Sequence, residues 1–521
     1  MSKESSLGHT ARSTLVVSGL TMVSRILGFV RTAVISALFG ASGMADVINL
    51  TFNIPNNFRK LLAEGALSAA FIPVLSEALV EDQGVGKKPR SIVQNIITFQ
   101  LLLLIPLTLL GLVFARPLVE GILAGFKEPW QEELAVKLFR WFINYLILIS
   151  VSAAIMGALN SRGSFFIPAV TPVLFSIFVI TSLLMLHSTL GPYSMVLGVL
   201  LGGLAQILFQ TPSFCRSGFS FHPNFHFNNP QFRRIMKQWL PVMVTSSVFT
   251  ITQVVAFRLA SALETGSTSA LSYAVVFWQL PMGIFSAAII TVLFPKMSRQ
   301  FARGDRDALR DSYQYGIRFM AVFLIPSAVF LILFGPETIA LALQRGEFTA
   351  ENTIMTAKVM GFYSLGLFSV AVFNFSQRFF YAAKNYRVPF WIAFFTGIMD
   401  VSLSLILKET SLRVAGLALA NSTAFTAGAF VFLMKARKEL GRIDGRAIMK
   451  TVFQTCLVSS VLAAFLVVFR RGLSHRLLDA GGIQGLIIYL AGALGSAVIV
   501  LGGYKLLKVE MLETLFRRGR R

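Results

Sequence analysis

The chain has 521 residues, of which 55% are hydrophobic and only 14% charged, with a mean hydropathy of +0.70. That composition excludes an ordinary soluble domain and predicts an all-α polytopic membrane protein. The net charge of +23 is spread over short turns between apolar runs, the pattern that orients membrane helices, and so excludes a nucleic-acid surface.

Apolar windows predict about fourteen transmembrane helices, at 14–39, 45–80, 92–115, 136–158, 164–187, 193–214, 237–262, 268–298, 313–335, 353–383, 387–407, 413–435, 449–470 and 483–507. The first carries Arg25 and Arg31 near its middle, with Ser24, Gly28 and Arg31 on one face and Arg25 turned away. An ionised residue at mid-bilayer costs roughly 2.5–3.5 kcal/mol on insertion scales, so retained arginines point to a crossing anion. A guanidinium fork matches phosphate best.

The second helix strengthens that reading. At about 100° per residue, Asp46, Asn49, Asn53, Asn56, Lys60 and Glu64 fall within an arc of about 80°, and Arg59 lies about 60° beyond it. Such a stripe must face protein or water, and Pro55 and Gly65 offer bends. Arg31 with Asp46 and Arg59 with Glu64 would neutralise part of the charge. Counting Arg25, Arg31, Arg59 and Lys60 against Asp46 and Glu64 still leaves a positive excess. Purely internal ion pairs are the competing reading.

Further along, Arg258 stands in the seventh helix and Asp400 in the eleventh, with Ser404 one turn on and Asn421 in the twelfth. Those oxygens suit Na⁺ or a proton, and an Arg258–Asp400 salt bridge is the alternative. Cys215 and Cys456 imply no disulfide framework, and His222 and His226 sit in a loop without a metal-ligand pattern. GVGKKP at 84–89 lacks the spacing of a phosphate-cradling loop, and no nucleophile triad or metal motif is present. The chain therefore reads as a transporter and not an enzyme, with no cofactor. Na⁺, H⁺ or the membrane potential are the candidate driving forces.

Lys and Arg residues follow the even-numbered helices, which places those turns and both termini in the cytoplasm. Arg470, Arg471 and Arg476 break the rule by falling outside. A repeat is also visible. SAAFIPVLSE at 68–77 resembles SAAIITVLFPKMSR at 286–299, GALNSRGSFFIP ending at Pro168 resembles FFYAAKNYRVP ending at Pro389, and FARPLVEGILAGF from Phe114 resembles FGPETIALALQRGEF from Phe334. The offsets of 222, 221 and 220 predict two pseudo-symmetric six-helix lobes, 12–220 and 230–445. Residues 446–521 supply two C-terminal helices and a basic tail.

SRILGFVR (24–31), FGASGMAD (39–46), NIPNNFRKLLAEGALSAAFIPVLSE (53–77) and LQRGEFT (343–349) resemble the MurJ/MviN family of the multidrug/oligosaccharidyl-lipid/polysaccharide exporter superfamily. The resemblance runs from about residue 12 to 510 and is most specific at 24–77. It implies a multi-pass protein of the bacterial inner membrane that flips the undecaprenyl-diphosphate-linked peptidoglycan precursor outward by alternating access. It carries over substrate contacts at Ser24, Arg25, Arg31, Asp46, Arg59 and Glu64, to which the helix 2 stripe adds Asn49, Asn53 and Lys60. Relatives have an arginine in an ADR-like run where this chain has Val276, which makes Arg258 the candidate replacement. A sodium site in relatives aligns with Asp400, Ser404 and Asn421. Expected partners are the lipid-linked precursor, membrane lipids and cell-wall synthesis proteins. The alternatives are a flippase for another polyprenyl-diphosphate glycan, a drug exporter, or a non-transporting scaffold for cell-wall enzymes.

Overall fold

A computed structural model of the chain describes residues 3–62, 66–441, 444–479 and 483–509, with side chains described over 19–59, 70–441, 444–472 and 484–509. The helices in chain order are α1 (Lys3–Phe39), α2 (Gly43–Leu62), α3 (Ala66–Glu81), α4 (Lys87–Val113), α5 (Ala115–Leu118), α6 (Pro129–Phe142), α7 (Tyr145–Ser161), α8 (Phe166–Leu190), α9 (Tyr193–Arg216) and α10 (Pro230–Ser261). They continue as α11 (Ser267–Pro281), α12 (Ala287–Ala302), α13 (Arg306–Leu333), α14 (Gly335–Leu343), α15 (Ala350–Leu365), α16 (Leu367–Ala382), α17 (Arg387–Leu407), α18 (Val414–Leu440), α19 (Gly445–Asp479) and α20 (Ile483–Leu506). Among the described residues, twelve spans are long and apolar enough to cross a membrane, and α15 with α16, bent by 49°, makes a thirteenth. The polar helix α2 is not among them; with α3 it occupies the second expected span.

The contacts divide the chain into two compact units, 1–268 and 269–521. In the first, α8 packs along α9 and α1 along α8, while α10 lies against α2 and α3. The α8–α9 seam is close because Gly198 and Gly202 leave no side chain in it. A Cβ on Gly202 would stand 3.0 Å from the Phe175 ring, and one on Gly198 would stand 2.8 Å from the Val179 backbone. At one end of the unit, Phe71, Leu75, Ile96, Ile155, Phe214 and Trp239 form a shared apolar core.

In the second unit, α13 packs on α19, α17 on α18, and α19 on α20. Its bent span has an identifiable cause. The Ser422 hydroxyl donates to the Phe362 carbonyl at 2.6 Å and to that of Tyr363 at 3.2 Å, just before the break at Gly366. A Cβ on Gly366 would meet Ser422 at 2.7 Å. Carbonyls released by the bend are thereby satisfied from α18.

The three repeat islands land on corresponding elements. Pro73 lies inside α3 and Pro295 inside α12. Pro168 opens α8 and Pro389 opens α17. Phe114 and Phe334 each end a long helix, their N–H groups donating to the carbonyls of Leu110 and Phe330.

Of the three exceptions to the charge pattern, Arg470 has a defined partner, while the side chain of Arg476 lies outside the described residues. The Arg470 Nε lies 2.7 Å from Oε1 of Glu337, a fully buried carboxylate of α14. Arg470 is held in an ion pair rather than left as a free charge in a turn.

Candidate functional site

Arg31 lies at the centre of the first unit's polar constellation. Its guanidinium stands 5.9 Å from the Phe52 ring centroid and 5.3 Å from that of Phe175. Both distances lie within cation–π range. Tyr145 stacks on Phe175 at 5.3 Å, and Phe142 meets Phe52 edge to face at 5.7 Å. Four elements, α2, α6, α7 and α8, therefore build one aromatic seat for a cation supplied by α1. The close α8–α9 seam fixes Phe175 within it. Tyr145 and Arg59 are the charged or polar groups within electrostatic range of Arg31. Among the described residues Arg31 has no carboxylate partner. The expected Arg31–Asp46 pair is not formed.

Asp46 is engaged elsewhere. Its carboxylate is 3% exposed and accepts the backbone N–H of Gly266 at 2.7 Å. Gly266 has φ +91°, and a Cβ there would lie 2.6 Å from the Ala41 carbonyl oxygen. Only glycine fits both the left-handed backbone and that approach. The α1–α2 turn and the turn leading into α11 are thus locked together by backbone and one buried acid. Gln131 adds a side-chain hydrogen bond to the Gly43 carbonyl at 3.2 Å.

Along α2 the asparagines bond back by one turn, Asn49 to the Ala45 carbonyl at 2.9 Å and Asn53 to that of Asn49 at 2.8 Å. Asn49 is buried at 6% exposure, whereas Asn53 and Asn56 are half-buried. Arg59 donates from Nε to Oδ1 of Asn56 at 3.1 Å. Ser24 is half-buried and Arg25 exposed, so the two arginines of α1 occupy different environments. Glu64 and the side chain of Lys60, with the expected Arg59–Glu64 pair and the bend at Gly65, lie outside the described residues.

Arg258 belongs to the contacts of the first unit. Its guanidinium donates to the Ala124 carbonyl, and the Ser261 hydroxyl accepts the Gly125 N–H at 2.8 Å. The end of α10 is therefore tied to the segment after the one-turn π-helix Val119–Leu123. In the second unit, Asp400 is buried and accepts from Asn421 Nδ2 at 2.9 Å, with buried Ser404 one turn further along α17. The partner the structure gives Asp400 is neutral, and that of Arg258 is a backbone carbonyl. Thr32 is buried and donates to the Gly28 carbonyl at 3.1 Å.

The aromatic seat and the Gly266 amide escaped the sequence reading. Phe52, Phe142, Tyr145 and Phe175 follow no spacing, and a backbone donor leaves no side-chain signal. The turn itself was visible in the run Glu264–Thr265–Gly266–Ser267.

Comparison with known families decides the identity. The profile described as lipid II flippase MurJ matches residues 35–489. This chain belongs to the MurJ family. The probable lipid II flippase MurJ of Borreliella burgdorferi is 32% identical over 507 residues, covering 97% of this chain and 98% of the relative. The lipid II flippase MurJ of Burkholderia cenocepacia is 28% identical over 398 residues, or 75% of this chain and 76% of that one. A solved MurJ structure in an inward closed conformation superposes with a TM-score of 0.75 at 26% identity, covering 95% of this chain and 99% of that one. A multidrug resistance MATE transporter, inward-facing, shares the fold with a TM-score of 0.65 at 17% identity, over 84% of this chain and 99% of its own.

Proposed function

We propose that the protein flips lipid II, the undecaprenyl-diphosphate-linked peptidoglycan precursor, from the inner to the outer leaflet of the bacterial cytoplasmic membrane by alternating access. Membership of the MurJ family supports the activity. The observation that carries the chemistry is Arg31, a guanidinium seated on two aromatic rings with a second arginine in electrostatic range and no carboxylate partner among the described residues. A cation kept without an internal anion is matched by an anionic ligand, and a diphosphate accepts the forked geometry. A cationic drug would be repelled there.

Ser24, Asn53 and Arg59 are the further substrate contacts we assign with Arg31. Arg25, exposed on another face of α1, is assigned with them from the family resemblance, as is Glu64, and Lys60 from the α2 stripe. Asp46 and Asn49 act from the buried side, where Asp46 ties the α1–α2 turn to the Gly266 turn. Arg258 orders the Ala124–Gly125 segment rather than presenting a free fork. The basic turns that follow the even-numbered expected spans support a cytoplasmic location for both termini. Asp400, Ser404 and Asn421 are the coupling-ion candidates. Their hard oxygens suit Na⁺, and a buried carboxylate with neutral partners equally suits a proton.

The test is complementation of a lipid II flippase depletion strain, read as growth and as lipid II accessible on the outer face. Arg31→Ala protein that inserts at wild-type level and yet supports normal export would defeat the reading.

A further inference from the structure

The first unit contains a groove that the transport site does not use. It measures about 400 Å³ and is walled by α4, by Val151 of α7 and by the segment Ser220–Phe225 between α9 and α10. Its floor is apolar, with Ile97, Leu101 and Ile105 from α4. Its polar lining residues, Gln94, Thr98, Ser220 and His222, lie toward the Gln94 end of α4 or on the facing segment. From Gln94 to Pro106 the groove follows α4 for about 18 Å at 1.5 Å per residue. That length is close to one leaflet of a hydrocarbon core about 30 Å thick. Leu102 and Ile105, on a helix long and apolar enough to span the membrane, are exposed, as is Phe225 on the facing segment.

The wall is built rather than incidental. Gln94 donates to Ser220 at 2.9 Å, Asn224 donates to Ser91 at 2.9 Å, its N–H donates to Thr98 at 2.9 Å, and Asn95 donates to the His226 carbonyl at 2.9 Å. Four hydrogen bonds thus fasten a Phe- and Pro-containing strap along α4.

The polar mouth is cationic. Arg90, one turn before Gln94, donates to the Gly218 carbonyl, and Arg162 donates to that of Ser217. Nearby Glu77 and Glu81 are taken by Arg234 and Lys88. Among the described residues, Arg90, Arg162 and Arg216 have no carboxylate partner, and all three are exposed. The apolar trough is one leaflet long and ends in guanidiniums without carboxylates. The geometry points to a bound anionic phospholipid, one acyl chain lying along α4 and its phosphate among Arg90, Arg162 and Arg216. Occupancy would brace the strap that leads into α10.

The experiment uses the full chain in nanodiscs and in detergent, with phosphatidylglycerol and phosphatidylcholine as probes and native mass spectrometry counting retained lipid. Wild type should retain phosphatidylglycerol in preference to phosphatidylcholine. Arg90→Gln with Arg216→Gln should weaken that preference by about fivefold for each charge removed. Ile105→Trp should block chain insertion and lower retention of both lipids, while a monodisperse elution profile and intact complementation show that the fold and the separate transport site survive. Equal retention of the two lipids by wild type, or unchanged phosphatidylglycerol retention in both variants, overturns the proposal. Displacement of phosphatidylglycerol by undecaprenyl diphosphate in wild type and not in Ile105→Trp also overturns it, by assigning the groove to the substrate's tail.

Discussion

Asp46 and Gly266, 220 positions apart, are joined by a 2.7 Å hydrogen bond from a backbone N–H to a buried carboxylate. The buried carboxylate is stabilised by the donor, and the donor needs a glycine backbone to reach it. Gly266→Ala should therefore be more damaging than its size suggests. It combines a left-handed backbone penalty with a clash against Ala41, roughly 1–3 kcal/mol for the strain alone. Asp46→Asn keeps an acceptor and should be milder than Asp46→Ala. Thermal unfolding in detergent, followed by complementation, checks the order; Gly266→Ala as stable and active as wild type would contradict it.

The seat of Arg31 separates charge from shape. Arg31→Lys retains a cation for the rings but loses the fork, and should keep only a small part of the export activity, while Arg31→Ala should lose it. Phe175→Ala should lower activity with Arg31 unchanged, since a cation–π contact contributes about 0.5–2 kcal/mol to positioning. Equal export by Arg31→Lys and wild type would show that the fork is not used.

Solvent access along α2 should follow burial rather than polarity. In a background without Cys215 and Cys456, cysteines at Asn53 and Asn56 should react with water-soluble thiol reagents. Those at Asn49 and Phe52 should be slow, because both positions are buried. The polar stripe alone would put Asn49 with the fast group, so its labelling rate decides between stripe and structure.

The Glu337–Arg470 pair should behave as a unit. Arg470→Ala leaves Glu337 buried and unpaired, and should destabilise by about 1–3 kcal/mol, the partly exposed arginine holding the loss below the fully buried range. Adding Glu337→Gln should restore much of it. A double variant as unstable as the sum of its singles would remove the coupling.

Asp400 offers a test of coupling. Asp400→Asn removes the charge while keeping a similar shape beside Asn421 and Ser404. If these residues bind Na⁺, export by wild type should depend on sodium and that dependence should vanish in the variant. A sodium dependence identical in both would exclude them.

Much of this architecture was legible in the chain. Apolar windows placed the spans, and the offsets of the repeat found matched helix ends at Phe114 and Phe334 because local capping follows local sequence. The stripe on α2 announced a polar environment, but not which asparagines water reaches, since their amides turn back onto the helix. The partners of Arg31, Asp46 and Arg258 were illegible for one reason. The partners described for them are rings or backbone groups brought from 21 to 220 residues away, and such groups leave no charge pattern in the sequence.

Glu337 has a consequence for biosynthesis. It emerges from the ribosome 133 residues before Arg470, and so is made before its counter-ion. Until α19 arrives, α14 carries an uncompensated carboxylate that favours an undocked, recognisable intermediate. A chain truncated ahead of α19 would stay in that condition, presenting to membrane proteases a defect that the complete chain conceals.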